Sequence, residues 1–263
     1  MTDDDRPMVL RAVNDGVLTL TLNRAERFNP LSFAMISALD AALGAAAGDA
    51  SIRAVVIAAA GRGFSAGHDL KEMRAHAGDD RWQRSLFDAC GRMMMRITEL
   101  PQPVIARVHG IATAAGCQLV SMCDLAVAAE TATFALPGVT IGVFCTTPAV
   151  GVARNIGRKH AMELLLTGQA IDARTALGWG LVNRVVTADA LDAAIAELTT
   201  GIMARSAAAI RLGKQAFYAQ IERPMAAAYS AASEVMTCNM QLDDAVEGIG
   251  AFLEKRSPVW RDR

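Results

Sequence analysis

Two long stretches of this 263-residue chain contain no acidic residue, and both include loops that could bind an anion. No Asp or Glu lies between Glu99 and Asp124, where residues 109–118 are mostly small, and none lies between Glu130 and Glu163. Small residues let the backbone approach a ligand closely, and a helix that begins at such a loop presents free N–H groups to a developing negative charge. The same composition also suits tight packing, so the pattern alone predicts either an oxyanion site or a close turn.

Few side chains near these loops could move a proton or attack a carbonyl group. His68 directly follows the glycine-rich loop 62–67, and an unperturbed imidazole titrates at about pH 6.5. Asp69 and Glu72 are close in sequence, although Asp69 equally suits a helix N-cap. Cys145 needs an activating base to act as a nucleophile, and none is evident nearby in sequence. Each of these residues is therefore a site candidate that also has an ordinary surface or packing role as its alternative.

The composition limits the classes of partner. The chain is 52% hydrophobic and 20% charged, with a net charge of −1, which favours a globular protein without general attraction to nucleic acid or acidic membranes. The uncharged run 131–153 is long enough to span a membrane, but its two prolines and three glycines favour buried loops, so we expect no membrane span.

Cysteine and histidine usage gives further expectations. Five cysteines without a CxxC pair predict buried, reduced thiols, and the acidic N-terminus MTDDDRP resembles no targeting segment, so we expect a cytoplasmic protein. The four histidines are scattered, which predicts no metal site. No GxGxxG or P-loop motif is present, so neither a redox cofactor nor ATP is expected.

Alternating strand and helix patterns predict a wound α/β fold. Ser32 suits the N-cap of a helix that reaches about residue 47, and the pattern becomes helical after Asp189, with amphipathic stretches at 207–220, 224–240 and 243–255. The predicted strands are 8–13 and 17–22, joined as a hairpin, followed by 54–58, 104–108, 125–129 and 182–186.

Seven segments, in order along the chain, resemble the signature loops of the crotonase (enoyl-CoA hydratase/isomerase) superfamily. The resemblance implies a ββα spiral core over residues 1–200 and a C-terminal helical trimerisation region over 201–263. It also implies a homotrimer or a dimer of trimers. The segments are FSAGHDLKE at 64–72, residues 109–118, CDL at 123–125, GRKHAMEL at 157–164, TG at 167–168, WGLV at 179–182 and FLEKR at 252–256.

The resemblance also implies an acyl-CoA site. In this family, two backbone N–H groups bind the thioester carbonyl, and by motif position these belong to His68 and Ala115. Coenzyme A enters as the thioester substrate, with no permanently bound cofactor. For Lys255 a solvated helix end is the alternative role. The implied coenzyme A contacts are Ala66, Gly67, Asp69, Leu70, Lys255 and, more weakly, Arg27.

The sequence departs from a hydratase at both usual proton-transfer positions. Hydratases of the family use two glutamates, whose positions are occupied here by Gln118 and Gly138. An amide has no useful basicity and glycine has no side chain, whereas general acid–base help is worth about 10² to 10⁴ in rate. We therefore expect weak or absent hydration. An isomerase or thioester hydrolase that uses another base, or a non-catalytic acyl-CoA-binding protein, remains open.

Overall fold

The computed structural model describes residues 6–263, so the first five residues of the predicted core, and most of the N-terminal segment read for targeting, lie outside the description. The described part is a mixed α/β fold with a helical C-terminal region, as predicted. The strands are β1 Val9–Asn14, β2 Val17–Leu22, β3 Ala54–Ala59, β4 Val104–Val108, β5 Ala112–Thr113, β6 Leu125–Ala129, β7 Thr133–Ala135, β8 Ile171–Asp172 and β9 Arg184–Val186. The helices are α1 Phe33–Ala47, α2 Leu70–Ala75, α3 Asp80–Glu99, α4 Ala115–Met122, α5 Thr146–Asn155, α6 Arg158–Thr167, α7 Ala173–Trp179, α8 Leu191–Met203, α9 Ala207–Gln220, α10 Met225–Asn239 and α11 Asp243–Leu253.

The main sheet has six strands in the order β1-β2-β3-β4-β6-β9. The predicted hairpin of β1 and β2 is antiparallel, and every other pair in this sheet is parallel. Asp15 and Gly16 make its two-residue turn with φ of 46° and 77°, the left-handed pair that a type I′ hairpin requires. The predicted strands 54–58, 104–108 and 125–129 are confirmed within one residue, whereas the predicted strand 182–186 shortens to β9.

Helices cover the central strands on both faces, which explains their uninterrupted apolar sequences. All six residues of β3 are buried. Val55 and Ile57 point into the larger core cluster with α1 and α3, and Val56 points into a second cluster with Leu191 of α8. Alternate side chains of one strand therefore serve two cores, as the two-residue period of a strand dictates.

A second, smaller sheet joins β5, β7 and β8, and none of these short strands was predicted. Two isolated parallel bridges lie in the neighbouring loops. One pairs Ser65 with Ala112 of β5, and the other pairs Leu31 with His68. These bridges hold together the loops that the sequence singles out. Two- and three-residue strands are too short to give a period-2 pattern, which is why the sequence did not predict them.

Helices α9, α10 and α11 form the C-terminal region, and a buried ion pair attaches α9 to the core. Lys214 Nζ donates to Asp124 Oδ2 at 2.6 Å, and the hydroxyl of Tyr218 donates to Asp124 Oδ1 at 2.9 Å. Residue 200 lies inside α8, and the division into core and helical region stays a prediction. Within residues 6–263, no helix is both long and apolar enough to cross a membrane.

Candidate active site

The first loop of the site is fixed by a buried asparagine. Asn29 is fully buried, and its Nδ2 donates to the carbonyl oxygens of Ala60 at 2.9 Å and Gly63 at 3.0 Å. Its Oδ1 accepts from the N–H of Arg24 at 2.8 Å. The hydroxyl of Ser65 donates to the carbonyl oxygen of Asn29 at 2.9 Å. The loop after β3 is therefore pinned by side chains as well as by its backbone.

The second loop packs directly on the first. The N–H of Thr113 donates to the Ser65 carbonyl at 2.9 Å, and the N–H of Ser65 donates to the Ile111 carbonyl at 3.0 Å. Gly67 has a φ of +86°, and a Cβ there would lie 2.9 Å from the Cβ of Ala114. Only glycine combines this left-handed backbone with so close an approach. The two loops consequently meet at the point where both candidate N–H groups begin.

The two candidate oxyanion donors have no hydrogen-bond acceptor among residues 6–263. Ala115 is the first residue of α4, so its N–H has no partner inside the helix. Within residues 6–263, neither this N–H nor that of His68 donates to a protein acceptor, whereas the N–H of Leu31 donates to the Gly67 carbonyl at 2.7 Å. Ala114, the residue before the helix, has φ 49° and ψ −120°, a backbone conformation that suits glycine. An alanine there stores strain beside the donor.

A cavity of about 470 Å³ opens where these loops end, and apolar side chains form most of its wall. Ala66, His68, Leu70 and Ala114 line it from the loop side, and the N–H of Ala115 follows Ala114 directly along the chain. The opposite wall is the segment after β7, together with the start of α5. The residues on that wall are Pro137, Gly138, Thr140, Ile141, Val143, Phe144, Cys145, Thr146, Thr147 and Pro148.

The imidazole of His68 forms part of the cavity wall but is a weak base. Burial lowers the pKa of His68 to about 4, because the charged ring would lose its hydration. Its ring meets Phe87 of α3 edge to face, with the centroids 5.5 Å apart. Within the described part of the chain, its Nε2 is buried without a hydrogen-bond partner. At neutral pH the imidazole ring of His68 is therefore uncharged and has little tendency to accept a proton.

The thiol of Cys145 stands in the space that a side chain at position 138 would need. A Cβ on Gly138 would lie 2.5 Å from the Val143 carbonyl oxygen and 2.8 Å from the Cys145 Sγ. The N–H of Gly138 donates to that sulfur at 3.3 Å. Burial raises the pKa of the Cys145 thiol, so it stays protonated at neutral pH. No carboxylate could enter at residue 138 unless this loop moved.

Gln118 lies one turn into α4 and is not among the residues that line the cavity. It is buried, and within the described residues its Oε1 has no hydrogen-bond partner. Because Gln118 lies among the buried residues of α4, its amide group does not contact bulk water. Of the two residues at the predicted glutamate positions, only Gly138 lines the cavity, and neither can gain or lose a proton near neutral pH.

The carboxylates near His68 serve structural roles. Asp69 caps α2 by accepting from the N–H groups of Lys71 and Glu72, as its sequence position suggested. It also binds Arg27, whose Nη2 lies 2.5 Å from Oδ2. Glu72 accepts from the N–H of Phe33 at 3.0 Å. Both acids point into protein contacts, and neither lines the cavity.

Only some of the predicted coenzyme A contacts lie at the cavity. Ala66 and Leu70 line it, whereas Gly67, in the first loop, packs against the second loop. Arg27 is occupied by Asp69. Lys255 is exposed just beyond the end of α11 with φ 56°, outside the cavity lining.

Three contributions to the site were not predicted from sequence. Asn29 holds the first loop, Phe87 and Met73 reach the cavity from α3 and α2, and the apolar wall around Phe144 faces the loops. The uncharged run 131–153 was a usable sequence signal for that wall. Several apolar side chains of this run are exposed in the structure. Nothing in the sequence distinguishes Asn29 from an ordinary turn residue. Within residues 6–263, no group of three or more His, Cys, Asp or Glu side chains is arranged to hold a metal ion.

Comparisons with known proteins identify the family of this fold. The profile of the Enoyl-CoA hydratase/isomerase family matches residues 12–263. This chain belongs to that family. The enoyl-CoA hydratase domain-containing protein 3 of Danio rerio is 42% identical over 260 residues, covering 99% of this chain and 90% of the relative. Its human counterpart is 41% identical and covers 98% of this chain and 84% of the relative.

Solved structures show the same fold. A crystal structure of an enoyl-CoA hydratase from Mycobacterium smegmatis is 53% identical, with a TM-score of 0.95, covering 97% of this chain and 99% of that chain. The crystal structure of human enoyl-CoA hydratase domain-containing protein 3 is 42% identical, with a TM-score of 0.93, covering 97% of this chain and 100% of that chain. The crotonase-type fold predicted from the signature loops is confirmed, and the family is one of acyl-CoA enzymes.

The predicted cytoplasmic location is wrong. The relatives from Danio rerio and human are both named mitochondrial proteins, which contradicts the cytoplasmic prediction. The prediction rested on reduced cysteines and on an acidic N-terminus. Reduced cysteines fit more than one compartment, and composition does not separate these compartments.

Proposed function

We propose that this family member binds coenzyme A thioesters and stabilises an enolate or a related oxyanion with the N–H groups of His68 and Ala115. One observation supports the proposal: within residues 6–263, two backbone donors have no protein acceptor, one on His68, which lines an apolar cavity, and one on Ala115, directly after the lining residue Ala114. Preorganised amides in a site that excludes water stabilise a developing oxyanion far more than donors in water do. The same donors polarise a bound thioester before any proton moves.

Hydration of an enoyl-CoA is, on this proposal, slow or absent. Water addition needs a base to activate water and an acid to protonate the α-carbon. Gln118 and Gly138 supply neither, His68 is weakly basic, and the Cys145 thiol is protonated at neutral pH. Isomerisation of a double bond or hydrolysis of a thioester meets the same shortage of a base.

The second candidate function is acyl-CoA binding without turnover. It is favoured by the observation that Asp69 and Glu72, the acids nearest to the site in sequence, both serve protein contacts. The two candidates share the oxyanion loops and differ only in whether the bound thioester changes chemically.

We also propose that the chain acts as a homotrimer or a dimer of trimers. The C-terminal helices expose large apolar side chains, among them Met225 at 77%, Tyr229 at 71% and Phe252 at 83% exposure. Burial of such side chains against another copy is favourable by about 25 cal/mol per Å². Lys255, next to this surface, would then reach coenzyme A bound to a neighbouring subunit. A monomer in sedimentation equilibrium at micromolar concentration contradicts this assembly.

The test of function is crotonyl-CoA hydration by the purified protein, measured together with calorimetric binding of butyryl-CoA. We expect binding, and a hydration rate at least 100-fold below that of a family member with both glutamates. Chromatography of the recovered thioester separates the two candidates: an altered acyl group or free coenzyme A indicates turnover, and unchanged thioester indicates binding alone. Absence of binding to any coenzyme A ester contradicts the proposal.

A further inference from the structure

The wall of the cavity offers almost nothing to a polar acyl group. Among the described residues that line it, none carries a charge at neutral pH. The hydroxyl of Thr140 donates to the Pro137 carbonyl at 2.7 Å, and that of Thr146 donates to the Phe144 carbonyl at 3.1 Å. Two of the three threonine hydroxyls on this wall are thus directed at their own backbone. A carboxylate or hydroxyl that is buried against this wall loses hydration, and no charged side chain among the lining residues compensates for that loss.

The size of the cavity indicates how much space is available to an acyl group. A methylene group occupies about as much space as a water molecule, roughly 30 Å³, so a cavity of about 470 Å³ holds roughly fifteen such groups. The thioester and the adjoining end of the pantetheine occupy roughly five of these positions. Space remains for roughly eight to ten further carbon atoms, which is much more than a butyryl or crotonyl group fills.

The opposite wall is apolar and partly exposed. Ile141 is 58% exposed, Val143 51% and Phe144 43%, and all three side chains line the cavity. An aliphatic chain that lies against them removes apolar surface of both partners from water. Each added methylene that is fully buried then strengthens binding by about fourfold.

From these observations we infer that the site takes an unsubstituted, aliphatic acyl group of medium length, about eight to twelve carbons. This inference rests on the proposed function, because it assumes that a coenzyme A thioester occupies the oxyanion loops. It names the class of acyl group, which the loops themselves do not determine.

The experiment compares four ligands by calorimetry: free coenzyme A, butyryl-CoA, octanoyl-CoA and suberyl-CoA, which is the eight-carbon ester with a terminal carboxylate. We expect octanoyl-CoA to bind about 100-fold more tightly than butyryl-CoA, and suberyl-CoA to gain none of this. Butyryl and octanoyl affinities within threefold of each other, or equal octanoyl and suberyl affinities, overturn the inference but leave the proposed function intact. Failure of all four ligands to bind removes the proposed function itself.

A matched pair of variants tests the wall directly. Val143→Asp places a charge on the cavity wall, and Val150→Asp places one at a similarly exposed valine of α5, 53% exposed, that does not line the cavity. We expect the octanoyl-to-butyryl affinity ratio to fall at least tenfold in Val143→Asp and to stay within twofold in Val150→Asp. Val143→Thr keeps the shape of the side chain and adds a polar hydroxyl, so it replaces the aspartate variant as the test if that variant does not fold. An unchanged ratio in a folded Val143 variant contradicts the inference.

Discussion

The two walls of the cavity differ in the chemical groups that they present. The wall made by the loops at His68 and Ala115 holds two N–H donors without an acceptor among residues 6–263, a glycine at a left-handed position and a buried asparagine that binds the first loop. The opposite wall, from Pro137 to Pro148, holds apolar side chains and a protonated thiol beside Gly138. On the proposed function, binding and polarisation of a thioester depend on the first wall, and proton transfer would depend on the second.

The difference teaches that the two parts of a family mechanism can separate within one fold. An N–H donor depends on backbone geometry, so it survives most changes of side chain. A general base depends on one side chain and is lost with one substitution. A chain can therefore keep the family's signature loops without the family's best-known reaction.

The largest expected effect comes from removing one donor of the first wall. In His68→Pro the N–H is absent, and removal of one oxyanion donor typically costs about 10² to 10³ in rate. If the protein turns over a thioester, that rate falls by this factor. If it only binds, the red shift in the absorbance of a bound aromatic enoyl-CoA, which reports polarisation of its carbonyl, disappears.

His68→Ala is the matched control for that variant, since it removes the imidazole and keeps the N–H. It retains the red shift and most of any turnover. Equal loss in both folded variants would show that the side chain, not the backbone, carries the effect.

The second wall is expected to resist a side chain at residue 138. Gly138→Ala places a Cβ against the Val143 carbonyl and the Cys145 sulfur, and overpacking of this kind costs about 1–3 kcal/mol. Urea unfolding measures the loss. Gly178→Ala, at an open helical position of α7, is the control and should be neutral or stabilising. Gly138→Glu consequently fails to restore hydration; a gain of hydration in that variant would contradict the assigned packing.

The buried imidazole makes stability depend on pH. The pKa of His68 is about 4 in the folded chain and about 6.5 when unfolded, so between these values the unfolded state binds more protons. Stability contributed by the neutral ring is complete above pH 6.5 and is lost as the pH falls toward 4. As the pH falls from 6.5 to 4, the free energy of unfolding of the natural protein should decrease by at least about 1.4 kcal/mol more than that of His68→Leu. This difference is the equivalent of one pKa unit. Parallel pH profiles of the two proteins would exclude a buried, neutral His68.

The smallest effect concerns the strained residue between the loops. Ala114→Gly relieves a positive φ beside the Ala115 donor and should raise the free energy of unfolding by up to about 1 kcal/mol. Ala45→Gly, on the exposed face of α1, is the control with opposite sign, because glycine in a helix interior costs about 1 kcal/mol. Thermal unfolding of both variants checks this. Destabilisation of equal size at both positions would mean that Ala114 is unstrained.

The sequence predicted the main sheet and the helical tail well, because long apolar runs and helical periodicity determine them. It also predicted Ser32 and Asp69 as caps, since short polar side chains before a helix satisfy its first N–H groups. It did not predict the role of Asn29, whose bonds reach carbonyls more than thirty residues away. Nor did it predict that Cys145 fills the space at Gly138, because that contact depends on the path of a loop. Local patterns can be predicted from the sequence, whereas long-range contacts between loops cannot.

The bridges at the site have a consequence for how the chain acquires its function during synthesis. Leu31 pairs with His68, Ser65 with Ala112, and the small sheet then continues through β7 to Ile171. Contacts of such large sequence separation form slowly, since the intervening loops must close first. A nascent chain that has not yet emerged past β8 therefore lacks the support for its oxyanion loops. The ability to bind a thioester is acquired late, after most of the core has been made, and a truncated chain that ends before Ile171 should lack it.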